Sequence, residues 1–500
     1  MTAMPSPAAP LDADACYRAV SAHDARFDGT FFIGVTSTGI YCRPVCRVKT
    51  PRRENCRFFA HASQAEGAGF RPCLRCRPEL APQALAWSAQ DASALLAQHA
   101  ARLLDSPDAW GDDVPSVAGL ATRLGVSDRH LRRVFEAELG VSPLAWLQTR
   151  RLLAAKQLLA DTRLPIAQVA LAAGFASLRR FNAAFAAQYR MSPTALRRDG
   201  SAPAPGDGIV VTLGLRPPYD VRGMLQFLQQ RGIEGVEHVD LASARVARTL
   251  RLNDHACGWL ACRFEPARHR VQVRVAEALA PQLPRVIARV RAWLDLDADP
   301  AAIHAVLGAD FPDSAGLRVP GTLDGFELAV RAVIGQQVSV AAARTLTTRL
   351  VERFGAALAT PIDGLTRLFP TPAALAAASG DELGQLGLVR QRQAAIQALA
   401  RAVASGHLSL HAGADVAATM DALKALPGIG QWTADYIALR ALRWPDAFPA
   451  GDVALQKALS PHGQRLGPRD AQARAERWRP WRAYGVVRAW QAPPASLLNS

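Results

Sequence analysis

The chain has 500 residues, more than one hydrophobic core supports, so we expect several domains. Lysine and arginine total 58 and aspartate and glutamate 43, and the resulting net charge of +15 favours nucleic acid as a partner. A basic protein without a nucleic-acid role is the alternative on charge alone. The sequence contains neither an export signal nor a run of about 18 uncharged apolar residues, which predicts a cytoplasmic protein with no membrane span.

Two close pairs of cysteines stand near the start of the chain. Cys42 and Cys46 form the first pair, Cys73 and Cys76 form the second, and 26 residues separate the two pairs. In a reducing compartment such pairs indicate a metal rather than disulfides, and the spacing suits four thiolates around one tetrahedral zinc ion. Cys56 has no close partner and is expected to be a free thiol, although it is an alternative ligand.

Basic residues surround these cysteines. From residue 42 to residue 77 there are nine lysines and arginines and two glutamates, a balance that predicts a phosphate-binding surface. The candidate DNA contacts within this segment are Arg43, Arg47 and Arg71.

A helical pattern follows and occurs twice between residues 115 and 195. An offset of 50 places Ser127 and Phe135 over Ser177 and Phe185. Each copy combines a short apolar helix, a glycine turn and a serine that caps a second helix, which is typical of a helix-turn-helix. Two helical hairpins with solvated arginines are the alternative. The arginines expected to reach a major groove are Arg129, Arg132, Arg133, Arg179 and Arg180.

The segments 38–46 and 70–76 resemble the zinc domain of the Ada adaptive-response regulators, and the tandem helix-turn-helix resembles the AraC-type domain of that family. The resemblance implies that Cys42 accepts a methyl group from a methyl phosphotriester in DNA, and that the chain then activates transcription, with RNA polymerase as a partner. A zinc-bound thiolate is a suitable nucleophile for this transfer. Methylation also removes one negative charge from the site, which weakens repulsion from DNA. An inert zinc knuckle is the alternative.

One part of the Ada family pattern is missing from this sequence. The family usually ends in a methyltransferase domain with a reactive Pro-Cys-His-Arg motif, and this motif does not occur here. The downstream cysteines, Cys257 and Cys262, lack that context, so we do not expect removal of O6-methyl groups from guanine.

Residues 199–208 have no periodic apolar face and predict a linker. Beyond them, residues 209–213 and the alternating residues 271–275 predict strands, with a helix over 221–230 between them. This pattern predicts a small α+β domain. From about residue 292 to Trp490 the pattern is helical, which predicts an all-α domain.

The pentapeptide Leu-Pro-Gly-Ile-Gly at 426–430 lies between two helical runs and is typical of a helix-hairpin-helix turn. Its glycines, Gly428 and Gly430, let backbone N–H groups approach a DNA phosphate. With Asp452 downstream, the arrangement resembles the AlkA-type 3-methyladenine DNA glycosylases of the helix-hairpin-helix superfamily. The resemblance implies that Asp452 is the catalytic carboxylate, with an ordinary helix cap as the alternative.

The same resemblance implies a base pocket and a mode of catalysis. Trp432, Tyr436 and Trp490 match the pocket aromatics of the family, whose ring faces attract a cationic alkylated base, although core packing is the alternative for each. Trp432 stands where bifunctional members of the superfamily carry a Schiff-base lysine, so we expect a monofunctional glycosylase. Gln337 matches the position of the residue that wedges into the duplex.

Together these patterns predict a multidomain, predominantly α chain. The expected parts are a small four-cysteine zinc domain at 1–85, a tandem helix-turn-helix at 90–198, a linker at 199–208, an α+β domain at 209–291 and an all-α helix-hairpin-helix glycosylase domain at 292–500.

The function expected of such a chain is a monomeric alkylation-damage protein that accepts methyl groups on a zinc-bound cysteine, activates transcription and excises alkylated bases from double-stranded DNA. One alternative is a transcription factor whose C-terminal half is an inactive DNA-binding block. Another is a glycosylase whose front half only tethers it to DNA.

Overall fold

A computed structural model of the chain describes residues 11–82, 92–110, 113, 115–197, 208–460 and 465–491. The elements form a small sheet, a helical segment, a larger sheet and a second, longer helical segment, so the predicted multidomain and mainly helical fold is confirmed. No helix in these ranges is long and apolar enough to cross a membrane. All but the last residue of the predicted linker, 199–208, lies outside the described residues.

The first part of the chain, residues 11–82, folds around a four-stranded sheet. The strand order is β3-β1-β2-β4, in which β2 and β4 are parallel and the other neighbours are antiparallel. Because Tyr41 on β2 pairs with Pro72 on β4, Cys42, the last residue of β2, and Cys73, the first residue after β4, lie side by side. The elements are α1 (Ala13–Ser21), β1 (Phe32–Val35), β2 (Ile40–Cys42), β3 (Cys56–Phe59), α2 (Ala62–Gly67) and β4 (Arg71–Pro72).

The helical segment that follows contains two helix-turn-helix units, α4-α5 and α7-α8. Ser127 caps α5 and Ser177 caps α8, each with a side-chain oxygen that accepts a backbone N–H at 3.2 Å. Phe135 and Phe185 are fully buried at equivalent places. The helices are α3 (Ala92–Asp105), α4 (Val117–Arg123), α5 (Asp128–Leu139), α6 (Pro143–Asp161), α7 (Ile166–Ala172), α8 (Leu178–Tyr189) and α9 (Pro193–Leu196).

The larger sheet is antiparallel, with the order β5-β9-β8-β7-β6. The two strands predicted from the sequence, β5 and β9, are neighbours, and Val211 pairs with Val273. The other three strands were not predicted. Leu225 and Leu228 of α10 pack on this sheet in the same core as Val211. The elements are β5 (Ile209–Gly214), α10 (Val221–Arg231), β6 (Glu237–Asp240), β7 (Arg245–Arg251), β8 (Cys257–Glu265) and β9 (Arg270–Val275).

The last segment is all-α, as predicted, and has two cores that share one helix. Ile437 of α19 belongs to the core around α13 and α17, whereas Ala438 and Leu439 belong to the core around α12 and α22. Helix α19 is therefore fixed from both sides. The helices are α11 (Leu283–Trp293), α12 (Pro300–Leu307), α13 (Gly325–Ile334), α14 (Val340–Phe354), α15 (Pro372–Ala377), α16 (Gly380–Gln385), α17 (Arg390–Ala404), α18 (Val416–Lys424), α19 (Gln431–Arg440), α20 (Val453–Ala458), α21 (Pro468–Ala475) and α22 (Arg482–Gln491).

The two halves of the chain pack directly on each other. Arg216, which follows β5, is 1% exposed and donates to the backbone oxygens of Asp28 at 2.6 Å and Asp297 at 2.7 Å. Asp161, at the end of α6, accepts from the backbone nitrogen of Thr212 at 3.1 Å. Buried bonds of this kind join the first sheet and the helix-turn-helix segment to the larger sheet.

Candidate functional site

Four sulfur atoms meet where β2 and β4 end. The Sγ atoms of Cys42, Cys46, Cys73 and Cys76 all lie within 4.8 Å of one another. The first three of these side chains are buried and the fourth is half-buried. The parallel pairing of β2 and β4 brings one cysteine of each pair together, and the loop after each strand returns the second cysteine to the same point.

This arrangement fits a zinc ion. A Zn–S length of about 2.3 Å places tetrahedral sulfurs roughly 3.8 Å apart, and the four sulfurs, all within 4.8 Å of one another, are close enough for this geometry. Hydrogen bonds from Cys46 and Cys73 raise the pKa of Cys42, whereas hydrogen bonds from Cys42 and Cys46 lower the pKa of Cys73. Without a metal, some of the four cysteines would therefore be protonated and others ionised. A bound divalent cation would allow all four to be thiolates.

Cys56 stands apart from this cluster. Its Sγ donates to the backbone oxygen of Arg52 at 3.1 Å, and its side chain is buried in the core of the first part. Burial raises the pKa of the Cys56 thiol. Among the described residues, the four-cysteine group is the set of histidine, cysteine and acidic side chains that can hold a metal.

Arg43 does not occupy the DNA-facing position expected for it. The residue is 9% exposed, and its guanidinium donates to the Asp28 carboxylate and, at 3.0 Å, to the backbone oxygen of Cys76. Its backbone N–H donates to the Cys76 sulfur at 3.3 Å. Arg43 therefore orders the cysteine loops, because its charge is already used inside the fold. Arg47 is exposed and Arg71 is half-buried.

Glu66 links the cysteine site to the helices that follow it. Its carboxyl accepts from the hydroxyl of Tyr41 at 3.0 Å and from the hydroxyl of Thr149 on α6 at 2.7 Å. Burial raises the pKa of Glu66 to about 7, against the lowering effect of these two hydroxyls. Since Tyr41 directly precedes Cys42, one carboxyl connects the sulfur cluster with the helix between the two helix-turn-helix units.

The second helices of the helix-turn-helix units present their arginines to solvent. On α5, Arg132 pairs with Asp128 at 2.6 Å, and both side chains are almost half exposed. Surface pairs of this kind contribute little to stability, so the guanidinium remains available to a phosphate. The exposed arginines are Arg129, Arg132 and Arg133 on α5 and Arg179 and Arg180 on α8.

The hairpin between α18 and α19 is built around two glycines. Gly428 has φ +74°, and a Cβ atom there would lie 3.0 Å from the Ala395 side chain. Gly430 begins α19, is exposed, and has no neighbouring atom within 4 Å of where a Cβ would stand. Gln336 supports the turn by donating to the Gly428 oxygen at 2.9 Å. The open N-terminus of α19 is a suitable approach for a phosphate.

Asp452 caps α20 and accepts three hydrogen bonds. Its Oδ1 accepts from the backbone nitrogen of Leu455 at 2.8 Å and from the indole Nε1 of Trp490 at 3.1 Å. Its Oδ2 accepts from the indole Nε1 of Trp432 at 3.0 Å. The cap interpretation is therefore correct as far as it goes. Two indole donors, from α19 and α22, hold the carboxylate in addition to the helix N-terminus that it caps.

Two of three clustered aromatic rings, those of Trp432 and Trp490, contact this carboxylate, and the third, Tyr436, packs against both of them. The rings of Trp432 and Tyr436 stack with centroids 5.6 Å apart and an angle of 19°, and Tyr436 meets Trp490 at 6.2 Å and 43°. All three side chains are half-buried rather than sealed in a core. The structure thus brings together the four residues selected from the sequence as carboxylate and pocket.

Gln337 lies in the turn between α13 and α14. It is exposed and has φ +54°, a conformation that is uncommon for a residue other than glycine. Strained, exposed residues of this type are often functional.

The residues behind Tyr436 were not predicted from the sequence. Arg440 donates to the Tyr436 hydroxyl at 2.8 Å. The Phe227 ring lies 3.8 Å from the Arg231 guanidinium and 5.0 Å from that of Arg440. The four-residue spacing of Tyr436 and Arg440 on one helix was an available signal. Phe227 and Arg231 gave none, because they belong to α10 of a different segment.

A four-cysteine metal site, a tandem helix-turn-helix and a helix-hairpin-helix pocket on one chain define a DNA-repair protein that also regulates transcription. Comparisons with known families agree. Family models match residues 15–79 (metal binding domain of Ada), 120–199 (helix-turn-helix domain), 210–324 (AlkA N-terminal domain) and 330–483 (HhH-GPD superfamily base excision DNA repair protein).

The probable bifunctional transcriptional activator/DNA repair enzyme AlkA of Mycobacterium tuberculosis is 39% identical over 491 residues, which are 96% of each chain. The present chain belongs to this family of bifunctional transcriptional activators and DNA repair enzymes. DNA-3-methyladenine glycosylase 2 of Escherichia coli is 36% identical over 56% of this chain and 96% of its own length. The Escherichia coli bifunctional activator/repair enzyme Ada is 40% identical over 28% of this chain and 37% of its own length. The predicted family, zinc ion and double function are confirmed.

Proposed function

We propose that this chain repairs alkylated DNA by two independent reactions, one at Cys42 and one beside Asp452. Two observations support the proposal. Four sulfurs gather within 4.8 Å in the first part of the chain. In the last part, two indole donors and a helix N-terminus converge on the Asp452 carboxylate.

The first reaction is methyl transfer from a DNA phosphotriester to Cys42. Zinc held by Cys42, Cys46, Cys73 and Cys76 keeps the sulfurs deprotonated at neutral pH. The Cys42 thiolate attacks the methyl carbon, a sulfur–carbon bond forms, and the carbon–oxygen bond breaks. Its electron pair stays on the phosphate, which becomes an ordinary diester. Cys42 is thereby consumed, and the site loses one negative charge.

Loss of that charge gives the first reaction a regulatory result. A less negative site repels DNA phosphates less, and the adjoining helices α5 and α8 then bind operator DNA more tightly. We propose that the operator is contacted through the arginines of these helices, with Arg47 and Arg71 on the phosphates near the zinc site. Arg43 is left out, since its guanidinium is buried against Asp28. RNA polymerase is the proposed protein partner, and a monomer the proposed active form.

The second reaction is hydrolysis of the glycosidic bond of an alkylated base. As the base leaves, positive charge develops on the sugar, and the Asp452 carboxylate stabilises it and orients the attacking water. The two indole donors fix the direction of the carboxylate before substrate arrives. This fixed orientation is what the reaction needs and what a helix cap alone does not provide.

The proposed substrate of the pocket is a cationic purine such as 3-methyladenine. Ring faces of Trp432, Tyr436 and Trp490 attract such a base by about 0.5–2 kcal/mol each. Trp432 offers no amine for a Schiff base, so the product is an abasic site in an uncut strand. Gln337 is proposed to fill the space left in the duplex, while Gly428 and Gly430 bind a phosphate.

We assign these functions to the domains that the sequence predicts. Residues 1–85 accept the methyl group and 90–198 bind the operator. After the linker, residues 209–291 and 292–500 form the glycosylase. We place the protein in the cytoplasm, where bacterial-type regulators of this family meet DNA.

One experiment tests both reactions. The full chain, loaded with zinc, is incubated with methylated duplex DNA, after which methyl-cysteine is mapped by peptide mass and released bases are separated by chromatography. We expect one methyl group on Cys42 and continuous release of 3-methyladenine.

Two single variants serve as each other's control. Cys42→Ser removes a zinc ligand together with the proposed methyl acceptor, and it should lose methyl transfer and keep base release. Asp452→Asn should keep methyl transfer and lose base release. A methyl group on another cysteine would refute the Cys42 assignment. If the unaltered chain released no base, the alternative of a transcription factor with an inactive C-terminal block would be favoured. If Cys42 were methylated without induction of a reporter gene, the alternative of a glycosylase whose front half only tethers it to DNA would be favoured.

A further inference from the structure

The wall of the base pocket that lies behind Tyr436 is unusually rich in buried positive charge. Arg440 is 6% exposed and donates to the Tyr436 hydroxyl at 2.8 Å, to the Pro320 oxygen at 2.8 Å and to the Gly321 oxygen at 3.0 Å. None of these acceptors carries a full charge while Tyr436 is a neutral phenol. Among the described residues, the Arg440 guanidinium then donates hydrogen bonds to uncharged acceptors.

Two further segments bring their guanidiniums to the same place. Arg231 ends α10 of the sheet domain, and Arg331 of α13 donates to the Arg231 backbone oxygen. Arg331 also donates to Glu327 at 2.8 Å and to Glu237 at 3.2 Å. Arg248 completes the network by donating to Glu237 at 3.0 Å and to Glu327.

This network has an excess of cations. Arg248 and Arg331 pair with the two carboxylates of Glu237 and Glu327. The guanidiniums of Arg231 and Arg440 lie beside these pairs, against the Phe227 ring and near Tyr436, so four guanidiniums accompany two carboxylates. On the other side of the Tyr436 ring lie Trp432, Trp490 and the Asp452 carboxylate that they hold. A buried excess of positive charge is costly, and it is reduced when a neighbouring acid gives up its proton.

Tyr436 is the acid in contact with this excess. Its side chain would lose solvation on ionising, but Arg440, Arg231 and Arg331 outweigh that cost and lower the pKa of Tyr436 below its usual value. The other buried tyrosines behave in the opposite way. Burial raises the pKa of Tyr41, Tyr189, Tyr219 and Tyr484.

We propose that Tyr436 ionises readily, losing its proton to solvent, and that its phenolate gives the base pocket a negative wall that selects cationic bases over neutral ones. The inference rests on the proposed glycosylase function and identifies a charge, beyond ring stacking, as a source of selectivity. Arg440 is the positioning residue, since it reaches the phenol oxygen and acts on the base only through Tyr436.

An absorbance titration of the zinc-loaded full chain at 295 nm tests the ionisation without any use of activity. The chain has six tyrosines, and four of them have a raised pKa. We expect a step equivalent to one tyrosine at lower pH than ordinary tyrosine, absent from Tyr436→Phe and retained in the matched control Tyr17→Phe. Arg440→Met should move this step upward by about one pH unit or more, and Arg440→Lys by less. A step that survives in Tyr436→Phe, or no early step at all, overturns the proposal.

A second measurement tests the selectivity. Single-turnover release is compared for a permanently cationic N-methylated adenine and for neutral 1,N6-ethenoadenine. Tyr436→Phe should lower the cationic-to-neutral ratio by about tenfold, and the ratio should rise with pH through the titration step in the unaltered chain only. An equal effect on both bases overturns the selective role. If Asp452→Asn retained base release, the proposed function would fail while the titration result would still stand.

Discussion

The zinc site and the base pocket position their reactive side chains in opposite ways. The four cysteines lie at the ends of two short strands and in the loops that follow them, and a metal ion is the group that would bind all four. The base pocket instead takes its carboxylate and rings from α19, α20 and α22, with α19 anchored in two cores. The zinc site depends on a bound metal ion for its assembly, whereas the base pocket is formed by side chains of the folded chain alone.

This difference corresponds to the reaction proposed for each site. A site that is consumed once can depend on a ligand set in which one member changes its chemistry. A catalyst has to return unchanged, and for that purpose a preorganised carboxylate on rigid helices is the better design. Substitutions should therefore disturb the fold at the first site and the chemistry at the second.

The largest expected effect comes from removing a zinc ligand. Structural zinc contributes roughly 10–16 kcal/mol to small domains, so Cys73→Ser should lose the metal and unfold residues 11–82. Cys56→Ser, whose sulfur lies outside the cluster, is the matched control and should keep it. Zinc content by mass spectrometry and limited proteolysis measure the outcome. A zinc-loaded, protease-resistant Cys73→Ser protein would contradict the contrast drawn between the sites.

Next in size is the loss of catalysis in Asp452→Asn. Asparagine caps a helix as well as aspartate does, so the fold should be kept. Because the amide nitrogen cannot accept a hydrogen bond, one indole contact is lost, and the melting temperature should fall by a few degrees at most. Single-turnover base release should fall by about a thousandfold, because the stabilising charge is gone. Asp415→Asn changes the cap of α18 in the same way, outside the pocket, and should leave the rate unaltered. Equal loss in both variants would mean that the carboxylate acts through the fold.

A smaller effect is expected from pH, through Glu66. Its pKa is raised to about 7 in the folded chain from an ordinary 4.5. The folded state thus binds this proton more tightly than the unfolded state, so the stabilisation is complete below pH 4.5 and is lost as pH rises through 7. The loss should be at most about 3 kcal/mol.

Calorimetry between pH 4.5 and 8 would measure this dependence, with Glu66→Gln as the comparison, since glutamine keeps a hydrogen-bonding side chain and cannot ionise. We expect a flatter profile for the variant. Parallel profiles for the two proteins would show that Glu66 does not titrate in this range.

The smallest effect concerns one arginine on α5. Arg133→Ala should reduce the salt dependence of operator binding by about 0.9 in the slope of log affinity against log salt, the value for one lost phosphate contact. Arg268→Ala removes an equally exposed charge at a turn before β9 and should leave the slope unaltered. A change of the same size in both variants would show a general charge effect instead of a contact by α5.

Much of the fold could be predicted because its signals are local. Serine caps, glycine turns and a constant internal offset marked α5 and α8, and alternating valines marked β9. Strands β7 and β8 escaped prediction because their residues, such as the run Cys257–Glu265, are buried on both faces and show no alternation. Strand β6 has only four residues, none of them buried, and its pattern is too short to predict a strand. These segments are strands because they pair with other strands of the sheet, and their local sequence pattern does not reveal this pairing.

The residues of the two sites also differ in whether a local sequence pattern could predict them. Cysteine spacing and the order of hairpin, tryptophan and aspartate are local signals. The structure brings the four cysteines together and places Trp432 beside Asp452. Arg43 looked like a DNA contact in a basic segment, but its partner Asp28 is distant in sequence and no local pattern reveals the pair. Phe227 and Arg231 were likewise hidden, because the sheet domain brings them to Tyr436 only after folding.

The buried contacts of Arg216 and Asp161 with the other half of the chain have a consequence for how damage is found. In the proposed function, a phosphotriester bound at Cys42 would hold the base pocket near the same stretch of duplex, so the pocket would search nearby bases at a high effective concentration instead of by free diffusion. Alkylating agents modify phosphates and bases together. Capture of one kind of lesion therefore directs the search for the other.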